Sequence, residues 1–324
     1  MTRPKALLSA LVTVALLATA PAGALELRSG DSQPEGYPTV LAVQDLGRKL
    51  AAATGNRLTL KVFPNGELGD EKSMIAQTQA GTLDMLRVSL GPVGVVVPEV
   101  DVFNLPFVFR DEAHMRKVID GEIGDELLDR ITDSTANLVA LGWMDAGARS
   151  LYARKPIRSP LDLAGQKIRM IGNPLFIETL NAMGGSGIAL GWNEVYNALQ
   201  TGVVDGAENN VSSYVSAGHL SITRVFSFTE HLIVPELLVF SKLQWNKLSP
   251  EDRALIRKLA RETQLKEREL WIKRVALDTL RMKSAGVVIV TDVDRQAFYK
   301  ATQAVRDKYG NRYADLLRRI AAVK

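Results

Sequence analysis

The pattern that most restricts this chain is an alternation of strand and helix that begins at Leu25. Residues 25–29 alternate apolar and polar as a strand does, and residues 30–36, rich in Gly, Asp, Ser and Pro, read as a loop. Val40, Leu41, Val43, Leu46, Leu50 and Ala51 then recur at helical spacing through Ala53, where Gly55 and Asn56 stop the helix. Residues 57–64 alternate again. Residues 71–80 follow as a helix with Asp70 and Glu71 at its favourable N-terminal end, and residues 83–90 form a third strand carrying Arg87 and Ser89. Strands separated by helices pack as a mainly parallel α/β sheet, whose ligands gather where strand C-terminal ends meet loops. Gln33, Glu71 and Ser89 all fall at such ends.

The residues before this alternation read as an export leader. Arg3 and Lys5 precede an apolar run over 6–18, and Ala22-Gly23-Ala24 is a small-residue cleavage site, so the mature chain is expected to begin near Leu25 in the periplasm. There is no cysteine, so an exported chain of this length must hold itself by its core, which 46% hydrophobic content allows. Removing the leader lowers the formal charge from +4 to +2 (4 − 2, for Arg3 and Lys5). No dense Lys/Arg block with interleaved aromatics occurs, so no nucleic-acid partner is expected.

The length fits two domains without a Gly/Ser- or Pro-rich linker, so two lobes would exchange the chain more than once. Residues 138–143 read as a strand running into Met144-Asp145-Ala146-Gly147-Ala148-Arg149, where a glycine among alanines can absorb the backbone change of a hinge. Beyond it, Gly165-Gln166-Lys167-Ile168-Arg169-Met170-Ile171-Gly172 places Arg169 inside a short apolar strand. A buried guanidinium without a partner costs several kcal/mol, so it must meet a carboxylate, a carbonyl or an anionic ligand. From the residues alone all three stay open.

Asn173-Pro174 starts the next helix, and Gly184-Gly185-Ser186-Gly187 reads as a flexible connection, because it follows a helix and lacks Gly-Lys-Ser/Thr. Trp192 introduces a helix over 195–201, and residues 203–210 form a strand ending in a polar tip with Asn209. Taken singly, Arg149 is a charge near the hinge, Asn209 a turn residue and Trp192 a core aromatic. Residues 226–241 return to the first lobe. Ser249-Pro250-Glu251-Asp252 caps a helix expected to reach Lys283, about 50 Å and long enough to brace both lobes. The expected division is a leader over 1–24, one lobe over 25–146 with 235–274, and a second over 147–234 with 275–324.

Enzyme chemistry finds little support. Asp31, Glu35 and Glu71 are not linked by any spacing, His114, His219 and His231 form no metal-ligand pair, and no Gly-x-Ser-x-Gly elbow occurs. Asp292 and Asp294 lack the glycine of a calcium loop. No metal or cofactor is expected.

Arg149, Arg169 in Gly-Gln-Lys-Ile-Arg, and the block from Glu194 to Asn209 with its Leu-Gln-Thr-Gly-Val-Val-Asp-Gly-Ala-Glu-Asn run together resemble the extracytoplasmic solute-binding subunits of TRAP (tripartite ATP-independent periplasmic) transporters. The likeness covers essentially all of the mature chain and includes Leu68-Gly69-Asp70-Glu71 and Asn104-Leu105-Pro106-Phe107. It implies a two-lobed binding protein that closes on an organic acid and hands it to a membrane permease; a monomer is expected. In that family a strand arginine grips the carboxylate, a role that falls here on Arg169, with Arg149, Asn209 and Trp192 beside it and Glu71, Ser89 and Gln33 on the first lobe. Ser89 stands where some sialic-acid-binding relatives carry an acidic residue, which argues against that ligand. A hexuronate such as D-glucuronate or D-galacturonate is the expected ligand. A C4-dicarboxylate or small keto or hydroxy acid is the alternative, and an exported sugar-acid-processing enzyme the alternative of another class.

Overall fold

The computed structural model describes residues 24–324, so the leader expected over 1–24 lies outside the described residues except for Ala24. Its strands are β1 (Leu25–Gly30), β2 (Leu58–Phe63), β3 (Met85–Ser89), β4 (Leu138–Met144), β5 (Ala148–Ala153), β6 (Lys167–Met170), β7 (Ser186–Ala189), β8 (Gly206–Asn209), β9 (Val225–Ile233), β10 (Glu236–Ser241) and β11 (Val288–Val290). They form two sheets, one in the order β2-β1-β3-β10-β4 and one in the order β11-β9-β5-β8-β6-β7. Each sheet is flanked by helices, giving the expected two-lobed α/β fold.

Both sheets are mainly parallel, with one reversed strand apiece. β10 runs antiparallel to β3 and β4, and β5 antiparallel to β8 and β9. Each reversed strand is the one that has just crossed from the other lobe. β4 passes through Asp145-Ala146-Gly147 into β5, and β9 passes through Val234-Pro235 into β10. The start of each crossing strand therefore lies beside the ends of its parallel neighbours, along the edge where such sheets bind ligands.

Gly147 makes the first crossing possible. Its φ is +65°, and a Cβ there would lie 2.9 Å from the Trp271 ring and 3.1 Å from Glu112 Oε1. Only glycine takes that conformation without strain in so narrow a gap. Trp271 belongs to the long helix Pro250–Ser284, 35 residues and so about 52 Å at 1.5 Å per residue, whose N-cap Ser249 accepts a hydrogen bond from Asp252 N. The helix buries Ile256, Leu259 and Ala260 in the first lobe with Val43, Leu46 and Phe240, and Met282 in the second with Tyr214 and Phe226. Between those contacts Trp271 packs edge-on against Tyr37 at 6.1 Å.

Some elements differ from expectation. The Gly-Gly-Ser-Gly stretch is not only a connection: β7 begins at Ser186 and pairs in parallel with β6, because backbone hydrogen bonds supply what its small side chains cannot. The helix Glu122–Asp133 follows Glu112–Ile119, and residues 90–104 contain three short helices in the apolar core. The last helix, Ala314–Ala322, packs on Glu112–Ile119 and Glu122–Asp133, through His114 Nε2 at 2.9 Å from the Ile320 carbonyl and Arg319 at 2.7 Å from Glu126. No helix among the described residues is long and apolar enough to cross a membrane.

Candidate functional site

The facing edges of the two sheets border a narrow, polar cleft. Gln33, Glu71, Ser89, Arg149, Arg169, Trp192 and Asn209, the residues singled out in the sequence, all line it. Sheet topology explains the convergence. Arg169 near the end of β6, Asn209 at the end of β8 and Arg149 at the start of reversed β5 share one edge. Ser89 at the end of β3 pairs with Glu236 at the start of reversed β10 on the other. Glu71 opens the helix Glu71–Ala80, and Gln33 lies just beyond β1.

On the second-lobe wall the two arginines differ. Arg149 makes a bidentate ion pair with buried Glu208, donating from Nε to Oε2 at 2.6 Å and from Nη2 to Oε1 at 2.8 Å. Burial works against its charge, but Glu208 outweighs that and holds its pKa above the ordinary arginine value. Arg169 has no carboxylate partner among the described residues. Its Nε and Nη2 both donate to the Leu190 carbonyl at 3.0 and 2.8 Å, while its Nη1 is buried with no hydrogen-bond partner. Burial pulls its pKa below the ordinary value, with Glu208 opposing. The guanidinium lies 5.6 Å from the Trp192 ring centre, a cation–π contact on the aromatic face. Behind it, Tyr152 Oη lies 2.9 Å from His219 Nδ1, and burial and the Arg169 charge push the His219 pKa down to about 3, so no second cation competes there. Asn209 Oδ1 accepts from the Asn210 backbone N–H at 2.8 Å.

The first-lobe wall is built on Arg87, which the sequence reading placed on a strand without giving it a role. It is 1% exposed and meets three carboxylates: Nη2 pairs with Asp31, and Nη1 with Glu236 at 2.7 Å and Glu71 at 3.3 Å. Glu71 also accepts from the Ser89 backbone N–H at 3.0 Å. Burial raises the Glu236 pKa to about 7, with Arg87 opposing and Glu71 adding to the rise. Ser89 Oγ and Gln33 Oε1 are buried and have no hydrogen-bond partner among the described residues. Buried polar groups are seldom left so, because each costs about 1–3 kcal/mol unless something fills its valence. With Arg87 Nε, four such atoms belong to residues lining one cleft, two of them on guanidinium groups, an arrangement suited to a small acid with hydroxyl groups.

The walls touch. Ser213, on the second-lobe helix Val211–Ser216, lies 3.0 Å from Tyr37 Oη and accepts from Gln33 Nε2 at 3.4 Å. Besides Arg87, the sequence reading missed Ser32, Ile171 and Glu236 in the cleft and Glu208 behind it. A signal for Glu208 existed: an arginine in a buried strand demands a carboxylate. The sequence does not say which one, since the partners are 59 residues apart.

Residues 29–312 match the family described as bacterial extracellular solute-binding protein, family 7. A solute-binding protein of Chromohalobacter salexigens is 37% identical over 96% of this chain and 92% of its own length. A TRAP periplasmic solute-binding protein from Pseudomonas putida, solved with bound D-glucuronate, is 54% identical with a TM-score of 0.91, over 93% of this chain and 98% of that one. One from Xanthobacter autotrophicus, with bound β-D-galacturonate, is 38% identical at a TM-score of 0.89, over 92% and 100%. A Citrobacter koseri protein has been solved twice. Its D-glucuronate complex matches at a TM-score of 0.91 and 44% identity over 93% of this chain and 100% of that one. Its apo, open structure matches at 0.81 and 43% over 92% and 98%.

Proposed function

The chain belongs to family 7 of the bacterial extracellular solute-binding proteins, the binding subunits of TRAP transporters, and from that premise we propose that it captures a hexuronate, D-glucuronate or D-galacturonate, and delivers it to a membrane permease. The observation that carries this reading is Arg169, a buried cation without a carboxylate, held on the Leu190 carbonyl with Nη1 unpartnered. A guanidinium presents parallel donors that match a carboxylate, so it fixes both the charge and the orientation of an acid. Ser89 Oγ and Gln33 Oε1 have free valences for ring hydroxyls, and Trp192 offers a face to the C–H surface of a sugar. The hexuronates bound by the Pseudomonas and Xanthobacter proteins have this combination of one acid group and several hydroxyls.

Arg149 has a supporting part in this reading. Its pairing with Glu208 stiffens the wall and leaves only Nη1 for a ligand oxygen, while Asn209 offers its amide N–H groups. Binding proceeds without chemistry on the ligand, in the periplasm, by a monomer whose lobes close over the acid. The lobes comprise residues 25–146 with 235–274 and 147–234 with 275–324, the last helix of the second reaching back onto Glu112–Ile119 and Glu122–Asp133 of the first, following a cleaved leader. Contacts from both walls to one ligand bias the protein toward the closed state, which the permease can distinguish from the open one.

A thermal-shift panel tests the assignment. Ligand at about 100 times its dissociation constant stabilises a fold by roughly 2.7 kcal/mol. D-glucuronate and D-galacturonate should raise the melting temperature by several degrees, whereas succinate, malate and sialic acid should not. A response to succinate or malate with none to either uronate would overturn the reading.

A further inference from the structure

We propose that the first-lobe wall restricts the site to acids carrying a single negative charge, and that Glu236 is the residue that excludes a second. The inference rests on the binding function argued above. Three carboxylates, those of Asp31, Glu71 and Glu236, converge on the one guanidinium of Arg87. On the opposite wall Arg149 is matched by Glu208, which leaves Arg169 alone to receive an anion. The cleft is therefore cationic at one end and anionic at the other. An ionised carboxylate only accepts hydrogen bonds, so the anionic end takes the O–H donors of a hydroxylated ligand and repels another carboxylate.

Among the three, Glu236 is the one free to act as a filter. Asp31 also accepts from the Gln33 backbone N–H at 2.7 Å and from Thr39 Oγ1 at 2.8 Å, which shapes the loop after β1. Glu71 accepts from the Ser89 backbone N–H and from Ser32 Oγ. Glu236 bonds to Arg87 alone among the described residues, stands at the cleft edge opposite Ser89 and is 6% exposed. The rise of its pKa toward 7, from burial and the neighbouring Glu71, marks a wall with more negative charge than its surroundings favour.

The test, run at about pH 8.5 where Glu236 is ionised, uses D-gluconate and D-glucarate, open-chain acids that differ in a terminal CH₂OH against a second carboxylate, each competed against D-glucuronate by calorimetry. In the wild type gluconate should displace glucuronate at least fivefold better than glucarate. In Glu236→Gln, which keeps an acceptor for Arg87, the affinity for glucarate relative to glucuronate should rise at least fivefold. A smaller change in either comparison, including a variant that still fails to take glucarate, overturns the proposal. Thermal melts establish that the variant is folded, and Glu236→Ala, read by the same ratio, replaces it if it is not. A wild type that binds no uronate in the reference titration would instead be a failure of the binding function, seen before any variant is compared.

Discussion

Arg149 and Arg169 look equivalent as letters in a strand and are opposites as charges. Removing Arg149 strands Glu208 in the interior, so Arg149→Ala should lower the unfolding free energy by about 3–5 kcal/mol in urea titrations. Arg169 has no carboxylate to strand, so Arg169→Ala should leave the ligand-free protein at least as stable as the wild type by the same measurement. Glu236 gives a pH signature. Its folded pKa of about 7 lies above the ordinary 4.5, so the native state holds the proton more tightly than the unfolded chain. The stability this group contributes is complete below about pH 4.5 and is lost as pH rises through about 7. Arg87, Glu71 and Arg149 surround it from both lobes, and burial is the largest cause of the rise. Glu236→Gln should therefore lose less unfolding free energy than the wild type between pH 5 and 8, by roughly 2–3 kcal/mol. Parallel pH profiles for the two proteins would contradict it.

At the scale of elements, the crossings matter most. Gly147→Ala adds a Cβ 2.9 Å from Trp271 at a φ of +65°, and should cost about 1–3 kcal/mol of stability in the same urea assay. Unchanged stability would show that the turn has more room than its geometry indicates. Strand–helix alternation, the long helix with its cap at Ser249 and this crossing were all legible in the sequence because each is a local signal: spacing, a cap, a glycine. The reversal of β5 and β10 was not, because direction is decided by which strand a crossing segment meets in the other lobe. β7 was illegible for a related reason, since Gly187 and Ser186 have no β propensity and owe their strand to β6. The site followed the same rule. Its residues could be named from strand ends, but the claim of Glu208 on Arg149 and of three carboxylates on Arg87 arises only when distant strands meet.

At the scale of the molecule, the proposed function depends on closure of the two lobes. Tyr37 and Gln33 reach Ser213 across the cleft, bonds that join the two walls. Ser213→Ala should weaken uronate binding by about 1–2 kcal/mol, roughly five- to thirtyfold by calorimetry, with little change in the ligand-free melting temperature. Small-angle scattering should show the radius of gyration falling when D-glucuronate is added. The higher TM-score to the glucuronate complex of the Citrobacter koseri protein, 0.91 against 0.81 for its apo, open structure, accords with a cleft already lined up around a ligand. The most direct measurement of the central claim is a calorimetric titration of D-glucuronate into the wild type and Arg169→Ala. One-to-one binding by the wild type and a loss of about 2–5 kcal/mol in the variant, some thirtyfold to several thousandfold, is the predicted result. Equal affinity in the two proteins would contradict it.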